Sequence, residues 1–218
     1  MKLPLLQVAL DETSLENAVK SVKQYGHVID IVEIGTILHY AEGAKATSVL
    51  RQMFPEKILL DDIKGADAGK TLAEICFQAG ADIMTAICCA DVNTMIAMKK
   101  VGLSYGEEKD VQVELYGDWT YEQAQTWLDA GMNQCVYHRS RDAELAGKKW
   151  SDDDINKIAT LIDMGFKVTI TGGLQVEDLV LFEGLAIHCI IAGRSIRDAV
   201  DPEQAALDFK TEIKRIWG

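Results

Sequence analysis

Short apolar runs alternate with amphipathic helical patterns along the whole chain, and this alternation restricts the possible folds more than any other feature. The apolar runs predict strands at 5–10, 29–34, 57–62, 82–87, 111–115, 134–137, 167–170 and 189–192. Helical patterns predict helices at 13–25, 42–53, 68–79, 91–101, 120–130, 151–164 and 202–217. Such alternation is typical of buried parallel strands joined by helical crossovers.

The number of units favours a closed barrel. Eight strand–helix units in 218 residues match an α/β protein with one (β/α)8 barrel domain over residues 1–218. Alternating units also fit a doubly wound open sheet, and periodicity alone does not separate the two. Closure is favoured because polar or small residues end the strands in a nearly complete ring: Asp11, Glu33, Asp62, Lys64, Glu114, His138, Thr171 and Gly193.

The third predicted strand ends in a cluster of charges. Asp61, Asp62, Lys64 and Asp67 follow the apolar run that begins at Ile58. Loops at the carboxyl ends of parallel strands face the ligand in α/β proteins. A lysine among carboxylates keeps its proton, so Lys64 is predicted to be a fixed cation that stabilises an enolate or carbanion. The alternative is that these residues are ordinary solvated loop charges.

Two carboxylates are candidate metal ligands. Glu33 and Asp62 are predicted to end adjacent strands. Two hard oxygen ligands there fit Mg²⁺, with waters and substrate oxygens completing the octahedron. The alternative is that one or both carboxylates pair with Lys64.

The last two units predict a phosphate site. Gly172 and Gly173 follow the seventh strand, and Gly193 and Arg194 follow the eighth. Loops at these two places commonly bind phosphate in barrels through glycine amides, and an arginine adds a charge-assisted donor. The alternative is that Gly172 and Gly173 only form a tight turn.

One histidine is a candidate for proton transfer. His138 follows the sixth strand and precedes Arg139 and Arg141. Its ordinary pKa range suits proton transfer, although the sequence alone does not give its geometry. His27, His39 and His188 are interpreted as structural.

Composition limits the partners. The net charge of −12 disfavours nucleic acid and anionic lipid surfaces. No apolar run approaches the roughly 20 residues of a membrane span, and residues 1–4 lead into a strand-like segment with no signal peptide, so we expect a cytoplasmic protein. The five cysteines stand in apolar contexts and are interpreted as reduced core residues.

A family resemblance adds to these observations. The motif formed by Asp62, Lys64 and Asp67 resembles the signature of the orotidine-monophosphate decarboxylase superfamily, whose members are (β/α)8 barrels that dimerise across the active-site face. Its metal-free members carry a lysine at the end of strand two. This chain has Glu33 there and so resembles the magnesium-dependent branch, which contains 3-keto-L-gulonate-6-phosphate decarboxylases and hexulose-6-phosphate synthases.

Within that branch the chain is more similar to the decarboxylases. The similarity covers residues 4–217 and includes Glu114, the stretch 136–143, the Thr171 loop and the stretch 191–198. Synthases tend to have a shorter acid, or smaller or apolar residues, at the positions of Glu114, Arg141 and Thr171.

The resemblance implies a mechanism and a set of roles. Mg²⁺ held by Glu33 and Asp62 binds a sugar-phosphate substrate, CO2 leaves, and the metal and Lys64 stabilise a cis-enediolate. His138 and Arg141 deliver a proton through water. The further implied site residues are Glu114 in catalysis, Asp11, Thr171, Gly173, Gly193 and Arg194 in substrate binding, and Asp67 reaching across a homodimer into a shared active site.

Two other functions stay open at this point. A hexulose-6-phosphate synthase would form the same enediolate and condense it with formaldehyde. A non-catalytic barrel would bind a sugar phosphate and release no CO2.

Overall fold

The computed structural model describes residues 2–218 and confirms the barrel. Within these residues, eight parallel strands pair in sequence order, and the last pairs with the first, so the sheet is closed and the open-sheet alternative is excluded. The strands are β1 (Leu5–Leu10), β2 (Ile31–Ile34), β3 (Ile58–Gly65), β4 (Ile83–Ile87), β5 (Asp110–Leu115), β6 (Gln134–His138), β7 (Lys167–Thr171) and β8 (Cys189–Ala192).

Helices surround the barrel. They are α1 (Leu15–Tyr25), α2 (Thr36–Glu42), α3 (Ala44–Met53), α4 (Gly69–Ala79), α5 (Val92–Tyr105), α6 (Tyr121–Asp129), α7 (Arg141–Leu145), α8 (Asp152–Asp163), α9 (Arg194–Arg197) and α10 (Pro202–Trp217). A 3₁₀ helix spans Val176–Phe182. The main core lies between the barrel wall and this helical layer.

Several helix boundaries differ from the predictions. The helix predicted at 13–25 begins at Leu15, and Ser14 caps it, because the Ser14 hydroxyl accepts a hydrogen bond from the Asn17 amide at 3.3 Å. The predicted helix 42–53 is the end of α2 followed by α3, and Gly43 separates them with a φ of 61° that ends the first helix. The helix predicted at 91–101 continues to Tyr105.

Two expectations from composition can be compared with the structure. Four free cysteines are buried, as predicted, whereas Cys89 is exposed. No helix among residues 2–218 has the length and apolar character needed to cross a membrane.

Candidate active site

A cavity of about 580 Å³ opens at the carboxyl ends of the strands. A parallel barrel brings all eight strand ends to one face, so residues far apart in sequence meet there. The structure brings eleven of the twelve predicted site residues to its wall: Asp11, Glu33, Asp62, Lys64, Glu114, His138, Arg141, Thr171, Gly173, Gly193 and Arg194.

Lys64 is held between two carboxylates. Its ammonium group forms an ion pair with Asp62, lies 3.0 Å from Glu114 Oε2, and donates to Thr36 Oγ1 at 2.8 Å. Burial lowers the pKa of Lys64, but the neighbouring charges of Asp62 and Glu114 outweigh it and leave the pKa above its ordinary value. Lys64 is therefore a fixed cation.

Strand β3 is longer than predicted, and this changes the location of Lys64. The strand was predicted to end at Asp62, but it continues to Gly65, so Lys64 belongs to the barrel wall and not to a loop. Asp62 and Lys64 both line the cavity, and their side chains form an ion pair. The opposite charge of Lys64 keeps the pKa of Asp62 below its usual range despite burial.

Asp61 does not belong to the exposed charge cluster that the sequence indicated. It is fully buried, and its Oδ1 atom accepts a hydrogen bond from Thr47 of α3 at 2.7 Å. Burial raises the pKa of Asp61 to about 7. Alternation along β3 explains the difference, because successive side chains point to opposite faces of a strand.

Glu33 lies at the end of β2 and is almost completely buried. Gln7 of β1 donates a hydrogen bond to its Oε2 atom at 2.7 Å. Burial, and then the negative charge of Asp62, raise the pKa of Glu33 well above its ordinary value. A cation beside Glu33 and Asp62 would offset both causes and lower the pKa of Glu33.

The donor set at this place fits Mg²⁺. Asp11, Glu33, Asp62 and Glu114 line the cavity together with Lys64, which pairs with Asp62 and Glu114, so these acidic side chains outnumber their cationic neighbour. Carboxylates are hard oxygen donors of the kind that Mg²⁺ prefers. No cluster of three or more His, Cys, Asp or Glu side chains suited to a metal occurs within residues 2–218. Sparse protein ligation is normal for magnesium, because water and substrate oxygens complete its shell.

Glu114 connects Lys64 to His138. Its Oε1 atom lies 2.5 Å from His138 Nδ1, while its Oε2 atom faces Lys64. The Tyr116 hydroxyl lies 2.9 Å from the same ring nitrogen of His138. Burial, and then the charge of Asp62, raise the pKa of Glu114. The fixed cation and the imidazole are thus neighbours of one carboxylate.

The loop after β7 also lines the cavity. Gly172 and Gly173 both have positive φ, at 118° and 61°. Arg139 holds this loop by donating from Nε to the Gly172 carbonyl oxygen at 2.9 Å. The carboxylate of Glu144, from α7, lies against Gly173 and forms an ion pair with Arg194.

Asp67 is the one predicted site residue that lies outside the cavity wall. Its side chain is exposed, and its Oδ1 atom accepts a hydrogen bond from the Ala68 amide at 2.7 Å. A single chain does not bring it to the cavity, so its role across a dimer stays a prediction.

Sequence reasoning missed several polar residues of the cavity wall. Among them are Thr36, Thr85, Tyr116 and Glu144. Thr85 stands inside a predicted apolar strand, where a single hydroxyl among apolar neighbours was the available signal. Tyr116 lies two residues after Glu114 and had no distinctive pattern around it.

Comparison with known proteins identifies the family of the chain. Residues 4–209 match the model of the Orotidine 5'-phosphate decarboxylase / HUMPS family. The chain belongs to this family. The match covers every strand and every cavity residue named above.

Three relatives within this family are informative. The chain is 53% identical, over 100% of both chains, to the 3-keto-L-gulonate-6-phosphate decarboxylase UlaD of Escherichia coli O17:K52:H18. It superposes with a TM-score of 0.98 and 50% identity, over 100% of both chains, on a crystal structure of KGPDC from Streptococcus mutans in a ligand complex. The 3-hexulose-6-phosphate synthase of Salmonella typhimurium is more distant, with a TM-score of 0.89 and 26% identity over 97% of this chain and 99% of that one.

Proposed function

We propose that this family member is a 3-keto-L-gulonate-6-phosphate decarboxylase that forms L-xylulose 5-phosphate and CO2. The similarity to the Escherichia coli decarboxylase over the whole chain supports this substrate. The observation that carries the proposal is the position of Glu114, which lies between the fixed cation Lys64 and the imidazole of His138. One group stabilises an anion, and the other can protonate it.

The first step needs an anion stabiliser. Loss of CO2 breaks the bond between C1 and C2 of the substrate, and its electron pair enters an enediolate over C2 and C3. Lys64 is permanently charged and fixed by Asp62 and Glu114, so it stabilises that anion without reorganising. Because its proton is retained, Lys64 does not act as the base.

The second step needs a proton at C2. His138, with Arg141, delivers it through water, and C2 becomes C1 of L-xylulose 5-phosphate. Glu114 holds the His138 ring by contacting Nδ1, and the Tyr116 hydroxyl lies 3.1 Å from the other ring nitrogen, Nε2.

Magnesium is the cofactor in this proposal. Glu33 and Asp62 would hold Mg²⁺, which when bound neutralises charge that develops on the keto and hydroxyl oxygens of the substrate. Asp11 and Thr171 lie on the same wall and orient substrate hydroxyls. Glu33 keeps its position through Gln7.

The phosphate binds at the loops that follow β7 and β8. Gly173 and Gly193 supply backbone amides there, and Arg194 supplies a charge-assisted donor. Glu144 now pairs with Arg194, so the phosphate has to displace that carboxylate.

The active enzyme is a homodimer with shared sites. Asp67 is exposed outside the cavity of its own chain and serves the partner's Lys64. The net charge of −12 argues against a nucleic-acid partner, and a cytoplasmic location remains the expectation from the sequence.

Measuring both candidate reactions on one preparation tests the function. We expect kcat/KM for decarboxylation to exceed that for formaldehyde condensation by at least about tenfold, equivalent to about 1.4 kcal/mol. The reverse ratio would identify a hexulose-6-phosphate synthase.

A further inference from the structure

The pairing register of strands β3 and β4 shifts beside the active site. They pair at Asp61 with Met84 and again at Gly65 with Ala86. Three residues of β3, from Asp62 to Lys64, therefore stand opposite the single residue Thr85 of β4. An extended bulge of this kind re-aims side chains and interrupts the ladder of backbone hydrogen bonds.

The bulge places Lys64 in an uncommon backbone conformation. Its φ is 49°, in the left-handed region, which is unfavourable for a residue with a Cβ. Such a conformation persists only where the surroundings hold it. A contact that fixes the Lys64 backbone is therefore required.

The hydroxyl of Thr85 provides that contact and a second one. The Lys64 amide donates to Thr85 Oγ1 at 2.9 Å, and Thr85 Oγ1 donates to Asp62 Oδ1 at 2.8 Å. A hydroxyl has one proton to give, so the two bonds fix its orientation. Thr85 is only 2% exposed, and water does not compete with these bonds.

We propose that Thr85 is a positioning residue that sets both the backbone of Lys64 and the rotamer of Asp62. With Oδ1 of Asp62 bound to Thr85, Oδ2 faces Thr36 and the Lys64 ammonium group. One hydroxyl thus fixes the anion-stabilising cation and a magnesium ligand relative to each other. This inference rests on the proposed decarboxylation, because it is through Lys64 and Asp62 that Thr85 acts.

Three variants test the role of Thr85. Thr85→Val keeps the shape and removes the hydroxyl, and Thr85→Ser keeps the hydroxyl. Thr169→Val is the matched control, because Thr169 is also a buried threonine of the barrel, its hydroxyl accepts from Gln112 at 2.9 Å, and it does not line the catalytic cavity. Each purified variant is assayed for kcat, KM, thermal midpoint and Mn²⁺ affinity by electron paramagnetic resonance.

Thr85→Val is expected to lower kcat by about 10²-fold while KM stays within about threefold. The reason is that a displacement of catalytic groups by about 1 Å lowers the rate by about that factor. Its Mn²⁺ affinity should fall by about tenfold or more, as for other residues that orient metal ligands. Thr85→Ser should restore both quantities to within about fivefold. Thr169→Val should lose stability but keep kcat within about threefold.

Two results would overturn the proposal: a Thr85→Val enzyme with unchanged kcat and Mn²⁺ affinity, or an equal loss of both in Thr169→Val. If Thr85→Val does not fold, Thr85→Cys replaces it, since a thiol is a weak hydrogen-bonding group and should give an intermediate loss. If the wild-type protein lacks decarboxylase activity, the proposed function fails. The Mn²⁺ affinities of the same variants then decide the role of Thr85 separately.

Discussion

Glu144 forms an ion pair with Arg194 on the cavity wall, where the phosphate is proposed to bind. The same carboxylate lies so close to Gly173 that a methyl group on that glycine would overlap it. A carboxylate that pairs with an arginine and lies against a glycine imitates a bound phosphate group. With the phosphate site of the proposed function, substrate binding would exchange one anion for another at Arg194.

Replacing Glu144 should strengthen phosphate binding. Glu144→Gln removes the competing charge, and we expect inorganic phosphate to bind about two- to fivefold more tightly by calorimetry, since a partly exposed ion pair contributes up to about 1 kcal/mol. The control Glu107→Gln removes an equal charge from an exposed loop and should leave the affinity unchanged.

The variant Arg194→Ala removes the side chain that is proposed to bind the phosphate. The phosphate is remote from the bond that breaks, so KM should rise while kcat changes little. An unchanged KM would show that Arg194 does not bind the phosphate. A lower KM in Arg194→Ala together with no effect of Glu144→Gln would remove both assignments.

Glu33→Gln should disable the metal site without unfolding the barrel. The amide keeps the shape of the side chain and an oxygen that accepts the hydrogen bond from Gln7. It loses the negative charge that binds a divalent cation. We expect activity to fall by at least about 10²-fold, thermal unfolding to change little, and chelation of the wild-type enzyme to have the same effect. Full activity in excess EDTA would contradict the magnesium assignment.

Asp61 should make stability depend on pH. Burial raises its pKa to about 7, so between about pH 4 and pH 7 the folded protein binds a proton that the unfolded chain has released. Because the folded state binds more protons, this contribution to stability decreases as pH rises through that window. Asp61→Asn is therefore expected to raise the free energy of unfolding at pH 8 by on the order of 2–4 kcal/mol, and by less at pH 5.

Urea unfolding of both proteins at the two pH values measures this difference. Thr47 can still donate its hydrogen bond to the amide oxygen that replaces the carboxylate oxygen in the variant, so that contact is preserved. An equal stability difference at pH 5 and pH 8 would show that Asp61 does not titrate in this range.

Mixed dimers test the shared site. Lys64→Ala and Asp67→Ala homodimers should each be inactive. After joint unfolding and refolding, half of the dimers are mixed, and each of these has one site with both lesions and one with neither. About a quarter of native activity should return if Asp67 serves the partner's Lys64. If mass measurement shows mixed dimers and activity stays near zero, each chain uses its own Asp67.

The sequence predicted the barrel and most of the cavity wall for the same reason. A parallel barrel brings every strand end to one face, so finding Glu33, Glu114 and His138 at strand ends was enough to predict that they meet. The pairing register of the strands was not needed for that conclusion.

The finer contacts required information that the sequence does not contain. The strand β3 continues through Lys64 because of a bulge against Thr85, and a bulge depends on the pairing of two strands and not on either one alone. Glu144 meets Arg194 across 50 residues because the loop after β6 folds as α7 over the cavity. Asp61 and Asp62 have opposite environments because strand alternation separates them once the strand extends past both.

The carbon atom that takes up a proton from solvent tests the central claim most directly. If 3-keto-L-gulonate 6-phosphate loses CO2 to give an enediolate that is protonated at C2, the reaction in D2O with Mg²⁺ should release one CO2 per substrate. The L-xylulose 5-phosphate should then carry one deuterium at C1, as measured by nuclear magnetic resonance and mass spectrometry. Failure to release CO2, or release with a product free of deuterium at C1, would contradict the account.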